Sequence, residues 1–170
     1  YPLTVASGTD VSGHSFASAR STSTSAAGIM IFLTFALGRE LFNSQIGLIS
    51  MLLTAANGYA GYLGLSASTD MTFCMVAQLA LLVSIKLADA YSISKLILLA
   101  ALFSLLFSLR YIATSMLPAL MLAVVLSRTC TGWRFSTILL TLLQFCLFVI
   151  LFLIPHFISS YMQFGVLHHD

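Results

Sequence analysis

The stretch ISKLILLAALFSLLFSLRYIATSMLPALMLAVVL, residues 93–126, decides the class of this chain. It carries Lys95 near its start and Arg110 in its middle, and the next charge along the chain is Arg128. An apolar run of this length exceeds the ~20 residues that a bilayer crossing needs. A guanidinium at the centre of such a run costs about 2.5–3.5 kcal/mol on insertion scales, so it is expected to face a protein interior, a partner or a water-filled path. Arg110 is therefore the first candidate functional residue.

Composition extends that reading to the whole chain. Of 170 residues, 59% are hydrophobic and only 7% are charged, and the mean hydropathy is +1.03. Soluble domains carry about 25% charged residues to clothe their surface, so lipid must cover most of this one. The formal charge of +2 is too small and too dispersed to suggest nucleic acid or a polybasic membrane-surface patch. Cys74, Cys130 and Cys146 form no CxxC pair and read as packing residues, with neither a disulfide framework nor a metal site implied. There is no Gly-rich phosphate loop and no pair of histidines at haem-ligand spacing inside the apolar runs, so no cofactor is expected.

Outward from residues 93–126, apolar runs alternate with short polar breaks, and in lipid such runs are read as helices because the backbone must satisfy its own hydrogen bonds. Residues 26–37 are too few to cross and are expected to be interfacial or the first half of a broken helix. Residues 41–65 are long enough but carry Asn43, Gln45 and Asn57, while Gly58, Gly61 and Gly64 recur on a stripe suited to close helix approach. Residues 71–88 make a compact crossing that ends in the cluster Lys86, Asp89 and Lys95. The runs 93–126 and 135–164 each offer about 30 residues, or roughly 45 Å of helix. They must tilt or bend within a core about 30 Å thick, and Pro118 and Pro155 supply candidate kinks. The link 127–134 makes them an antiparallel hairpin.

The expected fold is thus an all-α membrane protein of about four to five transmembrane helices, the last two forming a long, strongly tilted hairpin at 93–164. Residues 1–25 form a polar N-terminal extension, Ser-rich and acid-poor, that fits the processed remainder of an organelle-import sequence. Residues 26–170 form a single membrane domain.

A helical period across 93–126 would place Phe103, Phe107, Arg110, Thr114, Leu117 and Met121 on one stripe. On the last run the polar side chains are Gln144, His156, Ser159, Ser160 and Gln163, the final four forming a strip that could hydrate. Two readings stand for His156, a lining of a proton path and a hydrogen-bonded structural histidine. Gln144 is read first as an interhelical hydrogen bond. Together with Thr114 these are the proton-path candidates around Arg110.

The segment Phe107-Ser-Leu-Arg-Tyr-Ile-Ala-Thr-Ser-Met116 resembles the Ser-Leu-Arg-Leu-x-x-Asn-Met segment of ATP synthase subunit a, and the ending His156 to Asp170 resembles that family's closing helix and Leu-His-Asp tail. Thr114 stands where the family has Asn, His156 stands where it has Gln, and neither long run carries an acid. The resemblance implies a proton-translocating stator subunit of a rotary ATP synthase in which Arg110 faces the carboxylate of the c-ring between two half-channels. It further implies a multi-pass protein of the mitochondrial inner membrane. Its partners would be the c-ring, other Fo subunits and lipid, cardiolipin included, and it would have no nucleotide chemistry of its own. Two other readings remain open. One is a small hydrophobic subunit of a respiratory redox complex; the other is a structural membrane subunit whose Arg110 pairs with a lipid phosphate or a partner's acid.

Overall fold

A computed structural model describes residues 15–66, 69–129 and 135–164. Among these residues there are seven α-helices and one 3-10 helix and no strand, so the chain is an all-α membrane protein. In chain order they are α1 (Ser15–Leu41), α2 (Ser44–Ala56), α3 (Gly58–Leu65), α4 (Thr69–Asp89), α5 (Ile93–Leu109), the 3-10 helix Tyr111–Met116, α6 (Leu117–Thr129) and α7 (Phe135–Phe164). Three helices contain segments long and apolar enough to cross a membrane, Ala17–Leu41, Thr69–Asp89 and Ser136–Ser159. The runs 41–65 and 93–126 are interrupted at Asn57 and Arg110 and form shorter apolar helices. The N-terminal tail before residue 15, the hairpin link at 130–134 and the terminal His168 and His169 lie outside the described residues.

The chain packs as two units, with the divide between Leu82 and Val83, inside α4. In the first unit, α1 begins well before the apolar run that composition marks out. Residues 15–25 are helical although they are rich in Ser and Thr, and their hydroxyls donate to the helix's own carbonyls, which satisfies them without water. Ser21 and Thr22 donate to the Ser18 carbonyl at 2.8 and 3.0 Å, and Thr24 donates to the Arg20 carbonyl at 2.9 Å. Two hydroxyls also reach across, Ser23 to the Leu63 carbonyl at 3.0 Å and Thr24 to the Gly64 carbonyl at 2.9 Å, supplying donors to the end of α3. The short segment 26–37 is therefore the interior of a 27-residue helix.

Glycine sets the distance between α1 and α2. A Cβ on Gly38 would stand 2.7 Å from the Gly47 Cα, and one on Gly47 would stand 2.7 Å from the Phe35 carbonyl oxygen. The expected stripe of Gly58, Gly61 and Gly64 contributes only its last member, whose Cβ would meet that of Ala27 at 2.9 Å; the other two border open space. Asn43 starts α2 by accepting the Ile46 N–H on its side-chain oxygen at 2.9 Å. The first turns of α4 pack Met71 and Met75 against Ala26, Met30, Ala60 and Leu63. Asp70 in the first turn of α4 and Lys86 in its last suit the helix dipole.

In the second unit α7 is one 30-residue helix that runs through Pro155, and it packs along α5 and, less extensively, α6. Buried Leu99, Phe103 and Leu106 of α5, Leu120 and Val124 of α6, and Thr141, Phe145 and Val149 of α7 supply its interior. Because lipid chains are as apolar as leucine, close packing and polar contacts hold such helices together. Ser104 is one such contact: buried on α5, its hydroxyl lies 2.9 Å from the Ala100 carbonyl and 3.2 Å from the Val149 carbonyl of α7. Lys95 donates to the carbonyls of Lys86 and Ala90 at 2.7 and 2.8 Å, so the polar cluster expected between α4 and α5 closes the end of α4.

The first arm of the hairpin is interrupted, but not at Pro118, the candidate kink. It breaks at Arg110, while Pro118 sits in the first turn of α6, where its missing N–H has no helical acceptor to lose. The stripe from Phe103 through Met121 consequently does not persist: Phe103 is buried in the interior, and the helical period ends at Leu109.

Candidate functional site

The break at Arg110 is built from ordinary parts. Its backbone is extended, φ −156° and ψ 135°, and its N–H still donates to the Leu106 carbonyl at 2.9 Å, finishing α5. Its carbonyl accepts the Ala113 N–H at 3.1 Å, starting the 3-10 helix. The polypeptide thus turns between two helical segments without leaving these two backbone groups unbonded, which membrane depth demands. The Arg110 side chain is exposed. Phe107 and Tyr111 flank it in sequence and stack edge to face, ring centroids 5.3 Å apart.

Around the break, hydroxyls are committed to backbone. Ser108 donates to the Ser104 carbonyl at 2.9 Å, Thr114 to the Tyr111 carbonyl at 2.8 Å and Ser115 to the Ile112 carbonyl at 2.7 Å. Their protons are thereby engaged, and the one cationic side chain at the break is the guanidinium of Arg110. Arg presents five N–H groups in a planar fork that matches a phosphate or carboxylate.

The other candidates do not converge on this break through any described contact. Gln144 is half-buried on α7. His156 is half-buried with its ring 5.9 Å from that of Phe157, and Ser159 is exposed. The side chains of Ser160 and Gln163 lie outside the described residues. Among the described residues no group of three His, Cys, Asp or Glu could hold a metal ion. The described carboxylates, Glu40, Asp70 and Asp89, lie in the last two turns or the first turn of their helices, and Glu40 pairs with Arg39 at 3.6 Å.

Two contacts escaped the reading by composition. Ser104 joins α5 to α7, and Thr34 joins α1 to α4 through Gln78. The i, i+4 placement of Ser104 and Ser108 inside an apolar run was the signal available for the first.

The fold and the break define a multi-pass α-helical membrane protein with an arginine at a helix interruption. Residues 1–158 match the dolichyl-phosphate-mannose-protein mannosyltransferase family, and the chain belongs to that family. No curated protein and no solved structure matches it.

This membership overturns the resemblance to ATP synthase subunit a. The resemblance rested on one arginine in the ten-residue frame 107–116 and a loosely similar ending, whereas the family match covers nearly the whole chain. The proton-translocating stator function falls with the resemblance, as do ATP synthesis, the c-ring and Fo partners and the assignment to mitochondria as part of that complex. The redox-complex subunit gains nothing from the family match either.

Proposed function

We propose that this chain is a membrane-embedded component of mannosyl transfer from a dolichyl-phosphate-linked donor to protein. Membership of the family over residues 1–158 is the observation that carries the reading. In such a transfer a protein hydroxyl forms a bond to the mannosyl C1, the C1–O bond to phosphate breaks, the hydroxyl gives up its proton, and dolichyl phosphate leaves with the bonding electrons. A cation fixed near the leaving phosphate favours that step more strongly in a low-dielectric site than in water. Arg110, an exposed guanidinium between α5 and the 3-10 helix, has the chemistry for that role. The phosphate's polyprenyl chain requires an apolar surface, which the exposed Leu139, Leu143, Leu147 and Ile150 of α7 offer.

The test is mannosyl transfer in membranes carrying the full chain, supplied with labelled dolichyl-phosphate-mannose and a Ser/Thr peptide. The reading requires transfer above membranes without the chain and a loss of at least tenfold in Arg110→Gln. Transfer equal to the empty membranes rejects it.

The mitochondrial inner-membrane address rests on the overturned stator reading and on the Ser-rich, acid-poor composition of residues 1–25. The family reading favours whichever membrane holds the lipid-linked donor, and fractionation of the tagged chain against mitochondrial and microsomal markers reads that directly.

A further inference from the structure

We infer that α2 and α3 together make one additional membrane crossing, a discontinuous one, whose break at Asn57 opens to water at bilayer depth. Neither helix suffices alone: α2 has 13 residues and α3 has eight, against the ~20 that a span requires. Jointly, residues 44–65 reach about 33 Å at 1.5 Å per residue.

The register along α1 shows that they run as one strand of a hairpin. Gly47 meets Gly38, Gly64 meets Ala27, and the Leu63 carbonyl accepts from Ser23. As residue numbers rise through α2 and α3, they fall along α1, so both segments descend the same neighbour antiparallel to it. The direction of α4 adds an independent argument. Met71 packs with Ala26 and Met30, and Gln78 bonds Thr34, so α4 ascends α1 in the same sense. Two parallel spanning segments, Ala17–Leu41 and Thr69–Asp89, require the chain between them to return across the membrane, and α2 with α3 is what lies between.

The same register sets Asn57 level with the middle of Ala17–Leu41. There the helical ladder stops. Asn57 is extended at φ −72° and ψ 106°, its N–H donates to the Thr54 carbonyl at 3.3 Å, its carbonyl accepts the Gly61 N–H at 3.0 Å, its side-chain oxygen accepts the Ala60 N–H at 3.4 Å, and its side chain is exposed. Interrupted backbone at this depth is tolerated only against protein or a water-filled cavity, and the exposed polar side chain of Asn57 is solvated better by water than by lipid.

Cysteine accessibility in the full chain in native membranes tests this, with Cys74, Cys130 and Cys146 replaced by Ser. Phe42→Cys and Ser66→Cys should be labelled by an impermeant maleimide from opposite faces of sealed vesicles. Leu41→Cys and Leu65→Cys provide a second pair should either first variant fail to accumulate. Asn57→Cys should react with a small water-soluble methanethiosulfonate at least tenfold faster than Leu53→Cys. Labelling of both ends from one face overturns the crossing, and an Asn57→Cys as inert as Leu53→Cys overturns the hydrated break.

Discussion

The Thr34 hydroxyl donates to the Met30 carbonyl at 2.9 Å and accepts from the Gln78 side-chain nitrogen at 3.2 Å, while the other amide atom of Gln78 is buried without a hydrogen-bond donor among the described residues. One interhelical bond thus coexists with one orphaned acceptor on the same side chain. The two substitutions that break the bond should consequently differ. Thr34→Val strands both ends of the Gln78 amide and should destabilise by about 1–3 kcal/mol, whereas Gln78→Leu also removes the orphan and should be near neutral or stabilising. Unfolding of both variants in mixed micelles checks the asymmetry; equal losses would refute it.

The contact between Gly38 and Gly47 has no room for a side chain. Gly47→Val should force α2 away from α1 and lower stability by about 1–3 kcal/mol. Gly28→Ala, in the same α1 but with nothing within 4 Å of its new methyl, should raise stability by about 0.5–1 kcal/mol by removing glycine's freedom in the unfolded chain. Thermal melts of the purified chain decide both signs.

Ser104→Ala removes the hydroxyl link to Val149 with almost no change of volume. Interhelical bonds of this kind in membranes average about 0.6 kcal/mol and rarely exceed ~1.7. A loss within that range is expected by denaturant titration, and a loss of several kcal/mol would mean that Ser104 holds more than this bond.

Lys95→Met keeps the aliphatic stem and deletes the donors to the Lys86 and Ala90 carbonyls at the end of α4. The expected cost is about 0.3–1 kcal/mol. It should be visible as faster amide exchange at residues 86–90, with exchange in α7 unchanged.

Arg110→Lys separates charge from fork geometry in the proposed transfer reaction. Lys retains the charge but not the planar pair of donors, so activity should fall between that of the native chain and Arg110→Gln. Equal activity of Arg110→Gln and the native chain would remove Arg110 from the reaction.

Membrane class and the 30-residue α7 were readable from the chain because both follow from uninterrupted apolar composition. The break at Arg110 was not, since 107–116 contains no Gly or Pro and the nearest proline, Pro118, drew attention to a place where its ring fits the first helical turn. The early start of α1 was hidden for a different reason. Ser and Thr count as polar in any composition, yet here their protons go to carbonyls four residues back or on α3, so they join a membrane-length helix. Arg110 itself was legible as an anomaly, but its chemistry was assigned to the wrong family because a single cation in an apolar frame is compatible with several reactions.

Each unit sets one uninterrupted helix beside one divided helix, α1 beside α2 and α3, and α7 beside α5 and α6. Mechanically this is a stiff rail with a jointed arm. A load on one segment of the arm meets, at Asn57 or Arg110, backbone without a continuous helical ladder, so the two halves of the arm are held to the rail separately.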